Sequence, residues 1–312
     1  MHNNGYRIER LTEERLADLT SLHQAVYQKS VAPDFFKRKY NTAFTGLMHV
    51  GFLAYYEDKP SAFYGVIPCF IKFKNESVLA AQSADTMTHP NHRGKGLFIE
   101  LAELTYRLCR TEGIRFLFGF PNQNSLPGFL NKLGWQVSAN MECFIIQVKA
   151  LPLQKAANKL PFLKGLYEAQ VKHQLRPYLT TGNGIGNSVV GEGFAGLKRD
   201  EDYLKYKNAY SGSFTIKVGT TMVWFKINDG IVIGDIDPTP NDLNKIIPRL
   251  QKIARNIGLR KIVFQADKRT MLNMILKERV QPIPSFPVII KNLGADLQLH
   301  NVAFTFADID IF

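Results

Sequence analysis

Cysteine is scarce in this 312-residue chain: there are three, at positions 69, 109 and 143, and no two form a Cys-x-x-Cys pair. That excludes a disulfide scaffold and a thiolate-based structural zinc site, and it fits a reducing compartment. Long apolar runs are missing too. No window of about 18 residues is apolar enough to read as a transmembrane helix. The opening stretch "MHNNGYRIERLTEERL" carries charges every few residues where a secretory leader would carry an apolar core, so the expected location is the cytoplasm. Acidic residues are in deficit, 27 against 39 basic ones, giving a net charge of +12. A balance of that sign favours an anionic partner, whether nucleic acid, an acidic lipid surface or a phosphorylated small molecule. The basic residues are scattered and no module with interleaved stacking aromatics is present, so no nucleic-acid partner is expected. His89 and His92 stand three apart without an evident third ligand, and no metal is expected. No Ser-His-Asp constellation or nucleophile elbow occurs.

The chain is otherwise well supplied for folding. It is 45% hydrophobic and 21% charged, over a length that predicts two domains of ordinary size. From Gly51 to about Thr88, "GFLAYYEDKPSAFYGVIPCFIKFKNESVLAAQSADTMTH" breaks at the turn compositions "EDKPS" and "KNES" and reads as a meander of three strands. Leu97, Leu101, Leu104 and Leu108 then recur at helical spacing, and Gly113 stops the helix. "IRFLFGF" alternates as a strand, "NSLPGFLNKLGW" holds a short helix, and a strand follows over about 136–148.

Residues 149–178 carry five Lys and one Arg against one Glu on a partly amphipathic helical pattern. Five glycines between 182 and 193 follow. The expected organisation is therefore a first domain over 1–150, a basic helical connector with a Gly-rich linker over 151–193, and a second domain over 194–312. The second half repeats the first in outline. "DFFKRKY" at 34–40 resembles "DYLKYKN" at 202–208, and "SFTIKVG", "TMVWFKIN" and "GIVIGDID" form another meander. A helix ending at Gly258 and the strand "RKIVFQA" come next, as Gly113 and "IRFLFGF" did before. The order meander, helix, glycine, strand, short helix, strand occurs twice, which predicts two copies of one fold.

The chemistry-bearing stretch is "MTHPNHRGKGLFIELAELTYRL", residues 87–108, where an extended segment becomes an amphipathic helix. The first N–H groups of a helix have no internal partner, and its macrodipole is positive there. Gly94 and Gly96 allow positive φ, so that successive N–H groups converge on one anion, while Arg93 and Lys95 add formal charge. The arrangement reads as a diphosphate cradle; a solvated turn before a capped helix is the plain alternative. "GEGFAG" at 191–196 matches a dinucleotide glycine pattern by letter, but the strand-helix-strand unit that would give it meaning is missing.

"HPNHRGKGLF" resembles the acetyl-CoA signature of the GCN5-related N-acetyltransferases (GNAT), Arg/Gln-x-x-Gly-x-Gly/Ala after a strand. "NQNSLPGFLNKLGW" is similar to that family's second signature, and the two together cover about residues 50–150. The duplicated order resembles the tandem-domain, Eis-like branch. The resemblance implies an α/β class fold with an α+β mixed sheet: a tandem GNAT-like acyl-CoA N-acyltransferase in two copies. It further implies acetyl-CoA, or another acyl-CoA, as donor, with the pyrophosphate on Arg93, Gly94, Lys95, Gly96, Leu97 and Phe98. The pantetheine arm would pair with the backbone of Met87 and Thr88, and Asn122, Asn124 and Ser125 would reach the pantetheine or the acceptor. Three departures stand out: Phe98 replaces the last Gly/Ala, Leu130 stands where a Tyr often protonates the thiolate, and Ala84 stands where many relatives place Glu. Asp85, the carboxylate in the strand leading into the loop, is expected to be the general base. In the Eis-like relatives the C-terminal carboxylate serves as base, which would assign that role to Phe312, or to Asp308 or Asp310 beside it. The second copy's loop, "GDIDPTPNDL", sets Asp235, Asp237 and Asp242 where the first has Arg-Gly-Lys-Gly, so CoA is expected in the first copy only.

The expected activity is transfer of an acyl group to a small-molecule or peptide amine by direct attack on the thioester. A non-catalytic acyl-CoA-binding or scaffold protein is the alternative, since the usual Tyr is missing. A peripheral membrane contact through 149–178 is a further reading, set against an interdomain helix packed on both copies.

Overall fold

The computed structural model describes residues 5–180, 184–237 and 243–312. Its first compact unit comprises the chain up to Ser138 together with Pro287–Leu299. There β1 (Arg7–Arg10), β2 (Gly51–Tyr56), β3 (Lys59–Phe73) and β4 (Glu76–Thr88) run antiparallel in that order. The two-residue turn between β2 and β3 puts both Glu57 and Asp58 at positive φ, the conformation whose twist suits a tight hairpin. β5 (Phe116–Gly119) pairs in parallel with β4. The unit's helices are α1 (Leu16–Tyr27), α2 (Phe35–Lys39), α3 (Leu97–Thr111) and α4 (Leu126–Leu133).

The meander, the helix over 97–111 and its glycine stop (Gly113, φ +79) stand where the pattern predicts them. The buried face of α3 is turned relative to the leucine stripe, however. Leu97, Leu101, Ala102, Thr105, Tyr106 and Cys109 are buried, while Leu104 and Leu108 sit at the margin. Thr105 can enter the core because its hydroxyl donates to the Leu101 carbonyl, 2.8 Å away.

The second unit runs from Ala139 to Phe286 and adds His300–Phe312. It opens with β6 (Gln136–Gln147), followed by α5 (Leu153–Lys159), α6 (Lys164–Leu175) and α7 (Ser188–Gly191). The two-residue β7 (Gly196–Leu197) and α8 (Glu201–Ser211) lead into β8 (Phe214–Val218), β9 (Thr221–Ile227) and β10 (Ile231–Asp237). Then come α9 (Ile246–Asn256), β11 (Lys261–Asp267) and α10 (Met271–Lys277). Strands β8, β9 and β10 are antiparallel, β10 and β11 parallel, and β6 pairs antiparallel with β11. The last strand, β12 (Ile283–Asn292), returns to the first unit, where Ile289–Asn292 pair with β5.

From Ala139 on β6 belongs to the second unit, and from Pro287 on β12 belongs to the first. The described residues of 151–193 lie in the second unit. Val171 and Leu175 enter its core, and Gln170 Nε2 donates to the Asn256 carbonyl at 2.8 Å. Gly182 of the glycine-rich stretch, and Asp242 of the second copy's loop, lie outside the described residues.

The closing segment "FTFADIDIF" is packed but is not a strand. It makes one bridge, Thr305 to Ala266, and then turns through a 3-10 helix over Phe306–Asp308. Thr305 and Asp308 cap that turn reciprocally. The Phe312 ring is buried against Trp224 and Phe306, with centroids 5.3 and 5.8 Å away. It fills the space a Cβ would need at Gly234. No helix among the described residues is long and apolar enough to cross a membrane.

Candidate functional site

In the first unit β4 and β5 pair only over Ala80–Phe116, Ala81–Leu117 and Gln82–Phe118; β4 then runs on to Thr88 while β5 ends at Gly119. Beyond the paired residues β4 carries a bulge. Ala84 lies opposite Gly65 and Met87 opposite Phe63, leaving one extra residue on β4. Asp85 takes up the excess at φ +49, a left-handed conformation unusual for a side chain with a Cβ. The Asp85 carboxylate accepts from Lys39 Nζ at 2.8 and 2.7 Å and from Tyr40 OH at 3.0 Å.

Beyond Thr88 the chain makes a 3-10 turn over Pro90–His92 and reaches the glycine loop. Gly94 and Gly96 sit at φ +75 and +81, and Gly96 is the N-cap of α3. A Cβ at either would meet nothing within 4 Å, so the backbone conformation, not crowding, calls for glycine. The first turn of α3 closes with Ile99 and Glu100 N–H on the Gly96 carbonyl, so Leu97 and Phe98 N–H stand at the open end of the helix. Arg93 Nε donates back to the Thr88 carbonyl at 3.3 Å, which ties the loop to the end of β4.

The loop, the end of β4 and the start of α4 enclose a cleft of about 960 Å³. Of the expected donor-binding residues, Thr88, Arg93, Gly94, Lys95, Gly96, Leu97, Phe98, Asn122, Asn124 and Ser125 line it. Met87 is buried beneath the wall. A capping role is the alternative to ligand contact for Asn122, Asn124 and Ser125, and Asn122 has such bonds: its Oδ1 accepts from the N–H groups of Asn124 and Ser125, both at 3.0 Å, and caps the turn that leads into α4. Phe98, the bulky departure from the glycine pattern, is turned onto α4. Its ring packs against Phe129 at 5.2 Å and occupies the place where a Cβ on Gly128 would stand. A glycine across the contact thus gives the ring room beside the loop.

Residues the pattern did not single out also face this cleft. Val26 and Tyr27 from α1, Thr86 from the bulge, and Asn131 and Lys132 from α4 line it. Their sequence neighbourhoods carry no loop signature, and only the fold gathers them. Beside the loop, Lys95 Nζ lies 6.0 Å from the ring centres of both Tyr6 and Tyr56, and Tyr6 OH lies 2.7 Å from His92 Nδ1. Burial and the neighbouring Lys95 hold His92 below its ordinary value. His89 Nδ1 accepts from the Asn91 N–H at 3.3 Å.

In the core of this unit Trp135 Nε1 donates to Tyr106 OH at 2.8 Å, and Tyr64 OH lies 2.8 Å from Ser83 Oγ. Trp135 follows Gly134, which ends α4 in the left-handed conformation, so the Gly-aromatic pair closes the helix and satisfies a buried phenol. Leu130, where a Tyr was sought, packs against the hydrophobic core.

The candidate bases fall in different settings. Asp85 is ion-paired as described, and among the described residues lining the cleft are its neighbour Thr86 and Thr88, not Asp85 itself. Phe312 anchors in the second unit's core. Asp308 is buried; Arg199 Nη2 donates to its Oδ1 at 2.7 Å, and its Oδ2 accepts from the Thr305 N–H at 2.8 Å.

Residues 7–138 match the family model of the acetyltransferase (GNAT) domain. No curated protein matches the chain. Among solved structures it is similar to a GCN5-related N-acetyltransferase from Kribbella flavida, with a TM-score of 0.59 at 13% identity, covering 92% of this chain and 71% of that one. A GCN5-related N-acetyltransferase from Anabaena variabilis gives 0.57 at 14%, covering 93% and 73%. A chain from Pyrococcus horikoshii gives 0.56 at 11% and covers 99% of this chain and 96% of its own length. At these identities the likeness shows the fold: a mixed α/β architecture of GNAT type.

Proposed function

We propose that the first unit transfers an acyl group, acetyl foremost, from an acyl-CoA to an amine. The observation that carries this reading is the glycine loop at the N-terminus of α3, with Gly94 and Gly96 at positive φ, opening on the 960 Å³ cleft. The donor supplies a thioester carbonyl. Leu97 and Phe98 N–H, with Arg93 and Lys95, hold its pyrophosphate. The backbone at Met87 and Thr88, past the point where β5 leaves β4, takes its pantetheine arm. Asn124 and Ser125 face the same space from the start of α4. In the transfer the amine nitrogen bonds the acyl carbon, the carbon–sulfur bond breaks, and the amine's proton balances the thiolate as free thiol.

A screen that follows thiol release from acetyl-CoA across aminosugars, polyamines, peptide N-termini and aminoglycosides tests the reading. Release of thiol in step with acylated amine supports it. CoA binding without turnover over the whole panel supports the non-catalytic, scaffold reading instead.

A peripheral contact is favoured by a separate observation. Phe162 and Leu166, one turn apart, are 74% and 69% exposed, in a stretch that also exposes Lys159, Lys164 and Lys172. Apolar groups among cations fit an anionic lipid surface. Co-sedimentation with phosphatidylglycerol vesicles should exceed that with phosphatidylcholine and fall at least about fivefold in a Phe162→Ser/Leu166→Ser variant. Equal sedimentation with both lipids would rule this contact out.

A further inference from the structure

The internal repeat bears on the aspartate that the sequence marks as a base. In "DFFKRKY" and "DYLKYKN" the sixth residues are Lys39 and Lys207. In the third strands of the two meanders, Asp85 lies within the bulge of β4, and Asp235 follows directly on the bulge of β10, where Gly234 is the extra residue and Asp235 pairs with Trp224. The repeat thus places a lysine in the helix and an aspartate beside the bulge in both copies. All four are withdrawn from solvent: Lys39 and Asp85 side chains are 4% and 16% exposed, and Lys207 and Asp235 are buried.

Each is also held. Lys39 grips both oxygens of Asp85, and Tyr40 adds a third bond. In the second copy Asp235 is held by Arg199 at 2.6 Å and by Ser188 Oγ at 2.6 Å, while Lys207 Nζ donates to the Ile309 carbonyl at 2.7 Å. The second copy has no Arg-Gly-Lys-Gly loop, yet it keeps the buried aspartate at the bulge. A residue that persists where the anion cradle does not is serving the strand rather than the chemistry.

We infer that Asp85 is a positioning residue: with Lys39 and Tyr40 it latches the β4 bulge to α2 and so fixes the backbone of Thr86, Met87 and Thr88 along the cleft. This rests on the acyltransferase reading for its consequence, but the latch itself does not. A non-glycine residue at φ +49 needs surroundings that hold it, and a bidentate buried ion pair does so. Removing one partner strands the other charge; removing both does not.

The test compares Asp85→Asn, Lys39→Met and the double variant Lys39→Met/Asp85→Asn with wild type. Each single variant should melt roughly 10 °C lower. The double variant should recover most of that loss and keep the wild-type pH profile of kcat/KM, while its KM for acetyl-CoA rises at least about threefold because the bulge backbone is no longer held. If Asp85 is the base, the double variant instead regains its melting temperature but stays at least about 100-fold down in kcat, with the acidic limb of the profile gone. That result overturns the proposal, as does a double variant no more stable than the singles. Failure of wild type to bind CoA would sink the acyltransferase reading alone, because the recovery of melting temperature still reports on the latch.

Discussion

Titrated with acetyl-CoA in a calorimeter, an Arg93→Ala/Gly96→Ala variant is expected to lose about a thousandfold in affinity relative to wild type. Wild type should bind one equivalent. The loss has two sources of comparable size. Arg93 contributes a formal charge at the cradle and a bond to the Thr88 carbonyl that fixes the loop. Alanine at 96 opposes a φ of +81, which costs about 1–2 kcal/mol and tilts the first N–H groups of α3 away from their common focus. Crowding adds nothing, since the added Cβ meets open space. Asp237→Asn in the second copy should leave affinity unchanged, because that copy has aspartates where the first has its cations. Two equivalents of CoA per chain, or full affinity in the double variant, would remove the glycine loop as the donor site.

The largest stability effect is expected at Arg199→Ala in the second unit, roughly 3–5 kcal/mol. The Arg199 guanidinium is 1% exposed and donates to Asp235 and Asp308, to Thr305 Oγ1 and to the Gly186 carbonyl. It ties the closing segment, through Asp308, to the β10 bulge, through Asp235. Without it two carboxylates are left in the interior. The titration of Asp235 then gives the variant a pH signature. Burial already pushes Asp235 up to about 6 against the pull of Arg199, and loss of the arginine raises it further. A carboxyl whose folded value lies above its unfolded one contributes stability that is fully present below the unfolded value and is lost as pH rises through the folded one. The deficit of the variant should therefore be largest at alkaline pH and shrink as pH falls toward about 6, where wild-type Asp235 takes up its proton as well. Denaturant melts at pH 5 and pH 8 measure it. An equal deficit at both, or one that grows on acidification, would mean that the aspartates are not what the arginine holds.

The sequence by itself determined the elements and the loop. Strands of the meanders show because aromatic and β-branched residues are broken by turn residues, and α3 and α9 show because their apolar positions follow helical spacing. These are properties of neighbours along the chain. The Arg-Gly-Lys-Gly run was legible for the same reason: positive φ at Gly94 and Gly96 and the open N–H groups of α3 are local consequences of those residues in that order. So was the duplication, which is a matter of order alone.

What required the tertiary structure were the partners across distance. Nothing near Asp85 in the chain announces Lys39, 46 residues earlier, as its counter-ion. Nothing around Phe98 announces Gly128 as the residue that gives its ring room. The exchange of β6 and β12 between the units was hidden too, because a strand's pattern states which face it buries and not which open edge it completes. The tail's alternation of apolar residues reads as a strand, yet Thr305, Asp308 and Arg199 turn it instead. Local order sets the pieces, and the burial of charge, which only packing brings about, decides what each charged residue is for.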